Sequence, residues 1–176
     1  MQRVQPGDKI ALDPVEFKRE MATSVFGATH AFATALDVGC GEGYLARELV
    51  NRGARHVDGI DKSAALIAAA RSAEIPAASF SGGDAADLPF SPESFDLVLA
   101  NHLLNNLRDI KLPIGEFARV LRPSGRLIAL IRHPCFYGYR RTLAWTDYFS
   151  QRAIEHPFRV DGLTFPCHCC HMAPAT

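Results

Sequence analysis

The sequence predicts an α/β fold in which a doubly wound, mostly parallel sheet carries helices on both faces. Short apolar runs alternate with segments of helical periodicity along residues 35–131. The apolar runs are continuous, as in 97–100 and 127–131, and strands of that kind are usually buried on both faces. A turn rich in glycine joins the first apolar run to the helical segment that follows it. Strands that are covered on both sides and joined through helices form a parallel sheet between two helical layers.

Caps and helix breakers predict the first elements. A helix is expected over residues 13–25, because an Asp-Pro pair at its start supplies an N-cap and a first helical residue. The apolar run at 35–39 predicts the first strand of the sheet. The amphipathic segment 43–52 predicts the next helix, which Gly53 is placed to end.

The same alternation predicts the rest of the sheet. An apolar run at 56–60 predicts a second strand, and Ser63 is a suitable N-cap for a helix over 63–73. Four further elements follow from apolar runs and helical periodicity: strands at 77–80 and 95–100, a helix at 110–121 and a strand at 125–131.

Residues 133–176 have a different character. They hold three of the four tyrosines, Tyr137, Tyr139 and Tyr148, and the single tryptophan, Trp145. Of these, Tyr137, Trp145 and Tyr148 could line a substrate pocket. An Asp-Gly pair within 158–165 predicts a two-residue β-hairpin. Residues 167–171 contain thiols and imidazoles, which are zinc ligands. Two of these cysteines are adjacent and no second spaced pair accompanies them, so no metal site is predicted.

Composition excludes several classes of protein. The 176 residues predict one domain, with a core over 1–132 that includes the N-terminal helix and a lid and tail over 133–176. The formal net charge is zero, which argues against nucleic acid as a partner. No apolar run approaches the ~18 residues of a membrane span. Five cysteines, an odd number, favour a reducing cytoplasm over a disulfide framework.

The most informative segment is 36–44, which reads Leu-Asp-Val-Gly-Cys-Gly-Glu-Gly-Tyr. Glycine allows backbone angles and close approaches that a side chain would block. The turn therefore brings bare backbone and a helix N-terminus to a ligand. Asp61 follows at the end of the next apolar run, where a carboxylate can accept hydrogen bonds from a ribose diol. A nucleotide-type ligand is predicted.

The spacing of the glycines indicates which ligand. The dinucleotide fingerprint is G-x-G-x-x-G, whereas this chain has G-x-G-x-G with Asp37 two residues before the first glycine. That form resembles the first motif of the class I S-adenosylmethionine-dependent methyltransferases. Residues 82–90, 94–101 and 116–128 are similar to the family's third-strand motif, its fourth strand, and its following helix, turn and fifth strand. The resemblance covers about residues 35–132, and it is stronger to the small-molecule branch of the family than to the branches that methylate proteins or nucleic acids.

This resemblance implies a Rossmann-like fold, S-adenosyl-L-methionine as cofactor, and methyl transfer to an oxygen, nitrogen or carbon atom of a small molecule. It also implies that Asp37 holds the methionine ammonium, usually through water, and that Asp61 holds the ribose hydroxyls. Asp84 and the backbone of Ala85 would bind the adenine. The implied cofactor-binding residues are Asp37, Gly39, Cys40, Gly41, Gly43, Asp61, Lys62, Asp84, Ala85, Asn101 and His102.

Catalytic residues are harder to predict. The sulfonium methyl is already activated, so alignment supplies much of the rate. A general base is needed only when the acceptor must lose a proton. His102 and His133 each follow the carboxyl end of a predicted strand, where ligands bind in open α/β sheets, and are the candidate bases.

Two other functions remain open at this point. An NAD-dependent oxidoreductase has a similar fold, but the sixth-position glycine of its fingerprint is missing here. A protein that binds S-adenosylmethionine without turnover, as a weak fragment or scaffold, would differ only on the acceptor side. Calorimetry that compares the binding of S-adenosylhomocysteine with that of NAD distinguishes a methyltransferase from the oxidoreductase. A methyl-transfer assay distinguishes it from a protein that only binds the cofactor.

The end of the sheet is expected to be incomplete. The fold that the chain resembles has seven strands, of which the last two form an antiparallel edge. After the predicted fifth strand, residues 132–176 contain no apolar runs suited to those two strands. We therefore expect a C-terminally truncated sheet, whose exposed edge could support a homodimer.

Overall fold

The computed structural model describes residues 33–131, 152–160 and 163–171. Its elements, in chain order, are β1 (Thr34–Val38), α1 (Tyr44–Asn51), β2 (His56–Asp61), α2 (Ala64–Ser72), β3 (Ala78–Gly82), β4 (Phe95–Asn101), a 3-10 turn (Leu104–Asn106), α3 (Lys111–Val120), β5 (Leu121–Leu130), β6 (Arg152–Val160) and β7 (Leu163–His171). The predicted helix over 13–25 lies outside the described residues.

The five strands β1 to β5 form one parallel sheet in the order β3-β2-β1-β4-β5. The predicted fold class is therefore confirmed. The order reverses beside β1, since the chain first builds β2 and β3 on one side and then crosses to place β4 and β5 on the other. The crossover lies in residues 83–94, which contain no helix.

The predicted caps are present. Ser63 Oγ accepts a hydrogen bond from the Leu66 amide at the start of α2, as an N-cap does. Gly53 has a φ of +94° just after α1, and its amide donates to the Val50 carbonyl. A left-handed residue at this point closes a helix and favours glycine.

One predicted boundary is wrong. We expected a turn between a helix over 110–121 and a strand from 125, but α3 ends at Val120 and β5 begins at once at Leu121. Leu121 pairs with Phe95, and the register then shifts before Arg126 pairs with Leu97. The Pro-Ser-Gly sequence that predicted a turn is thus an irregularity inside a strand, with Ser124 at a φ of +68°.

The core lies around the two central strands. Leu36 and Val38 of β1 and Val98 of β4 are almost fully buried, and Phe117 of α3 packs against them with no exposed surface. Burying a side chain of this size contributes about 1.5–3 kcal/mol. The edge strand β5 is different, because Leu127 and Ile131 on one of its faces are 39% and 55% exposed.

Phe80 of β3 packs beneath the glycine turn that follows β1. A Cβ atom added to Gly59 of β2 would lie 2.5 Å from the Phe80 ring, and one added to Gly43 would lie 2.8 Å from it. Both contacts are too short for a side chain to fit without displacing the ring. Glycine at these two positions therefore allows an aromatic ring to support the turn from below.

The amino-terminal edge of the sheet is held by a separate polar network. Arg122 donates to Asp96 Oδ1 at 2.8 Å, to Thr34 Oγ1 at 3.1 Å and to the Glu93 carbonyl at 3.1 Å. Thr34 in turn donates its amide to Asp96 Oδ2 at 2.9 Å. These contacts join β1, β4 and β5 at the edge opposite to the glycine turn.

The strands β6 and β7 form a separate antiparallel hairpin. Val160 pairs with Leu163, which confirms the hairpin that the Asp-Gly pair predicted. Among the described strands, neither member of this hairpin pairs with the five-stranded sheet. The described part of the chain also includes no helix long and apolar enough to cross a membrane.

Candidate functional site

The candidate site lies at the carboxyl edge of the parallel sheet. The glycine turn follows β1, Asp61 ends β2, Asp84 follows β3, and Asn101 ends β4. Parallel strands bring these positions to one edge, and the order of the strands reverses between β1 and β4. Open α/β sheets bind ligands at such a reversal, in the crevice outside the carboxyl ends.

The glycine turn has a backbone that side chains would disfavour. Gly39, Gly41 and Gly43 have φ angles of +75°, +56° and +81°. Gly43 also occupies the N-cap position of α1 and supplies no side-chain cap. The first amides of α1 therefore face the site without a side chain between them and a ligand, and they favour an anionic or polar group there.

Asp61 connects the turn to the rest of the sheet. Its Oδ2 accepts from the Gly41 amide at 2.9 Å, and its Oδ1 accepts from the Ser63 amide at 2.8 Å. The Ile60 carbonyl next to it accepts from the amides of Gly39 and Cys40. An ionised carboxylate has about four acceptor sites, so Asp61 can hold both amides and still accept from hydroxyl groups of a ligand.

Asp37 is the buried acid of the site. It is 1% exposed, and none of the described residues hydrogen bonds to either of its carboxylate oxygens. Burial, together with the nearby Asp61 carboxylate, raises the pKa of Asp37 from its ordinary 3.8 to about 7. A buried acid without a protein partner is rare and indicates a missing ligand or water. A cationic group in the pocket would satisfy it.

Cys40 lies inside the turn, and its thiol is expected to be unreactive. Burial and the Asp37 and Asp61 carboxylates raise the pKa of Cys40 to about 12. The thiolate is the reactive form of cysteine, so Cys40 contributes its backbone and its volume to the site rather than a nucleophile.

The segment after β3 carries the next acid. Asp84 Oδ1 accepts from the Ala86 amide at 3.0 Å, and Oδ2 accepts from Lys62 Nζ at 3.1 Å. These contacts hold the pKa of Asp84 below its ordinary value, the Ala86 amide most of all. Asp84 is half exposed, whereas Ala85 beside it is buried in the core. The segment thus presents an ionised carboxylate on a backbone that is anchored from below.

The end of β4 forms the wall opposite to Asp61. Asn101 has a side-chain oxygen that is shielded from solvent and accepts no hydrogen bond from the described residues. His102 follows with a φ of +54°, an unusual backbone angle for a histidine. Leu103 then lies against the turn, because a Cβ added to Gly39 would come within 3.1 Å of its side chain.

The structure thus brings the described cofactor-binding candidates to one edge. Asp61 contacts the glycine turn, Asp37 and Asn101 lie at the ends of the two neighbouring central strands, and the Lys62–Asp84 ion pair joins the ends of β2 and β3. His133, the other candidate base, lies outside the described residues. Among residues 33–131, no three His, Cys, Asp or Glu side chains are grouped so that they could hold a metal ion.

Sequence reasoning missed two supports of the site. Nothing in the pattern marked Phe80 as the floor beneath the glycine turn. The pair Glu116 and Arg119 on α3 was part of a motif, but no pattern in the motif predicted that both side chains contact the segment that carries Asp84. A Glu and an Arg three residues apart on a helix were the only available signal.

Comparison with known proteins identifies the fold and the family. The family described as "methyltransferase domain" matches residues 36–129, more than half of the chain. A 2-phytyl-1,4-naphtoquinone methyltransferase of Thermosynechococcus vestitus is 40% identical over 107 residues, covering 58% of this chain and 48% of that protein. The chain spans about half the length of the curated relatives it matches.

Two solved structures share the fold. An S-adenosylmethionine-dependent methyltransferase from Listeria monocytogenes, described as putative, superposes with a TM-score of 0.70 at 21% identity, covering 89% of this chain and 77% of that one. The cyclase SpnF superposes with a TM-score of 0.59 at 28% identity, covering 69% of this chain and 47% of its own. The chain therefore belongs to the methyltransferase domain family, as its ordered motifs predicted, and its cofactor is S-adenosylmethionine.

Proposed function

We propose that this chain transfers a methyl group from S-adenosylmethionine to an oxygen, nitrogen or carbon atom of a small molecule. The observation that carries the proposal is the buried Asp37 carboxyl, which has no partner among the described residues and lies beside the glycine turn. The cofactor has an ammonium group that suits this acid. Its sulfonium supplies an activated methyl group when it is bound.

The residues have separate functions in this proposal. Asp37 holds the ammonium through water, and the turn Gly39–Gly43 lies along the methionine and ribose. Asp61 accepts from the ribose hydroxyls, and Lys62 orients Asp84, to which it is hydrogen bonded. Asp84 accepts from the adenine amino group beside Ala85. The bound cofactor would supply the activated methyl group to the acceptor atom and leave as S-adenosylhomocysteine, and His102 or His133 would take any proton that the acceptor loses.

The relatives suggest where to look for the acceptor. The protein from Thermosynechococcus vestitus is named for a 2-phytyl-1,4-naphtoquinone, so we propose an aromatic or quinone-like acceptor as the first class to test. The family match favours methyl transfer over NAD-dependent oxidoreduction.

A second candidate function is cofactor binding without methyl transfer. The solved cyclase SpnF shares the fold, and a fold by itself does not determine the reaction. Binding of S-adenosylhomocysteine without any methyl transfer to a range of acceptors would favour this second function.

The first prediction concerns Asp61. Asp61→Ala removes a charge-assisted partner of the ribose and also an acceptor of the Gly41 amide, so the affinity for S-adenosylhomocysteine should fall by roughly 1.5–3 kcal/mol. Calorimetry measures the change. Asp58→Ala on the same strand is the matched control, since Asp58 pairs with His56 outside the turn. Equal affinity in Asp61→Ala and the parent would refute the ribose placement.

The second prediction concerns pH. Below the pKa of about 7 the free Asp37 carboxyl is protonated, and binding of a cation requires it to ionise. The apparent Kd for S-adenosylhomocysteine should therefore rise by up to about tenfold for each pH unit as the pH falls from about 7 to about 5.5. Asp37→Asn should bind more weakly and show a flatter profile.

The unfolding free energy of the free protein gives an independent check on Asp37. The unfolded carboxyl ionises near 3.8 and the folded one near 7, so the folded state holds the extra proton between these values. The contribution of Asp37 to stability should fall as the pH rises from about 4 to about 7, and Asp37→Asn should remove that slope. A slope that is unchanged in Asp37→Asn would show that another group titrates.

The third prediction concerns the candidate bases. If an imidazole removes a proton from the acceptor, then His102→Gln or His133→Gln should lower kcat by about 10²-fold or more. The Kd for S-adenosylhomocysteine should change by less than about threefold in His133→Gln, because His133 is not a candidate for binding the cofactor. Transfer of a labelled methyl group to 2-phytyl-1,4-naphtoquinone is the assay. Full turnover in both variants would exclude both histidines as the base.

The fourth prediction concerns a homodimer through β5. This strand is last in the sheet order, and its face formed by Leu127, Ala129 and Ile131 is exposed. Exposed apolar strand edges promote association. We expect sedimentation to show a dimer that Ile131→Glu shifts to monomer. Leu112→Glu is the control, because Leu112 is more exposed than Ile131, at 67% against 55%, but lies on α3 and not on this edge. A monomeric parent would refute the proposal.

A further inference from the structure

The crossover between β3 and β4 reaches across the sheet without a helix. Residues 83–94 make this connection. Some of their hydrogen bonds are local, and the others join the two ends and the middle of the loop to the end of β2, to α3 and to β5. The Asp87 amide donates to the Asp84 carbonyl, and the Phe90 amide donates to the Leu88 carbonyl. Such local contacts shape a loop but do not fix its position over a sheet. Buried Ala85 and Leu88 anchor it from below.

Two side chains of α3 attach this loop to a rigid element. Glu116 Oε2 accepts from the Leu88 amide at 2.8 Å. Arg119 donates to the Leu88 carbonyl at 2.9 Å and to the Phe90 carbonyl at 2.7 Å. Three backbone groups of the loop are therefore satisfied by one helix turn that lies 28 to 31 residues later in the chain.

The two side chains also fix each other. Arg119 Nε donates to Glu116 Oε1 at 2.7 Å, and Arg119 Nη2 donates to Oε2 at 2.6 Å. This bidentate geometry is the strongest that a guanidinium and a carboxylate form. The Arg119 hydrogen bonds, followed by that of the Leu88 amide, lower the pKa of Glu116 to about 2. The pair stays charged at any pH at which an enzyme of this kind is assayed.

We propose that Glu116 and Arg119 are positioning residues that set the place of the Asp84 carboxylate and so determine how well the site recognises the adenine amino group. The inference rests on the proposed function, in which Asp84 binds that group. Asp84 is held by the Ala86 amide and Lys62, and the loop that carries both Asp84 and Ala86 is attached to α3 only four residues further on. A shift of the loop would move the Asp84 carboxylate away from the adenine amino group.

The test compares two ligands that differ at the edge of the base that Asp84 would bind. S-adenosylhomocysteine has the exocyclic amino group, whereas S-inosylhomocysteine has a carbonyl oxygen in its place and a proton on the neighbouring ring nitrogen, so the comparison reports on this edge of the base. The parent protein should prefer the first by about tenfold, which corresponds to about 1.4 kcal/mol. Arg119→Met keeps the aliphatic stem but removes the donors, and we expect the preference to fall to about twofold or less.

A matched control separates positioning from general stability. Arg122 lies three residues later and also bonds a carboxylate and a backbone carbonyl, but that carbonyl belongs to Glu93, at the far end of the crossover and at the opposite edge of the sheet from Asp84. Arg122→Met should lower the melting temperature yet keep the ligand preference. Arg119→Lys retains the charge but cannot reach two carbonyls and the carboxylate together, so it should give an intermediate ligand preference. It replaces Arg119→Met in the test if Arg119→Met does not fold.

The outcomes distinguish the inference from the function on which it rests. A parent that does not bind S-adenosylhomocysteine, or does not prefer it, overturns the adenine placement and the inference with it. A parent preference that survives in Arg119→Met, or that is lost equally in Arg122→Met, overturns the inference alone. Faster hydrogen exchange of the Leu88 amide in Glu116→Ala than in the parent would support the inference without any ligand, and unchanged exchange would contradict it.

Discussion

The carboxylate of Asp61 is the contact on which the site depends, because it joins the glycine turn, 20 residues earlier in the chain, to the junction between β2 and α2. It accepts from the Gly41 amide in the turn after β1 and from the Ser63 amide at the start of α2, while it ends β2 itself. The adjacent Ile60 carbonyl accepts two further amides of the turn. The end of β2 therefore serves as a template for the glycine turn. One side chain orders the pocket and leaves lone pairs for a ligand, so structure and recognition cannot be altered separately at this position.

The buried Asp37 shows how the free protein and the bound protein differ in energy. A carboxyl with no exposed surface and a neighbouring acid is costly to ionise, and the raised pKa of about 7 expresses that cost. Each unit of pKa shift corresponds to about 1.4 kcal/mol. A cationic ligand removes the cost when it binds. The protein thus holds a destabilising group that becomes favourable only when the pocket is filled, which is a common feature of sites whose residues are arranged for a ligand rather than for stability.

Sequence reasoning was most successful where local patterns determine structure. The buried strands are continuous apolar runs in the sequence. Ser63 begins a helix because its side chain caps the first turn, and Gly53 closes a helix because it adopts a left-handed backbone angle. It failed at the start of β5, because the pairing of Leu121 with Phe95 overrides the turn preference of the Pro-Ser-Gly sequence. It also missed the attachment of Leu88 to Glu116 and Arg119 and the packing of Phe80 under Gly43. Those contacts join residues that only the folded chain brings together, and no spacing along the sequence encodes them.

The low reactivity of the Cys40 thiol has a practical consequence for redox chemistry. With a pKa of about 12 and little exposed surface, this cysteine holds its proton at neutral pH and resists oxidants and alkylating reagents, which attack the thiolate. The cofactor pocket should therefore tolerate an oxidising environment even though a sulfur atom lies in its central turn. A thiol reagent that abolished cofactor binding would have to act through one of the other cysteines of the chain, Cys135, Cys167, Cys169 or Cys170.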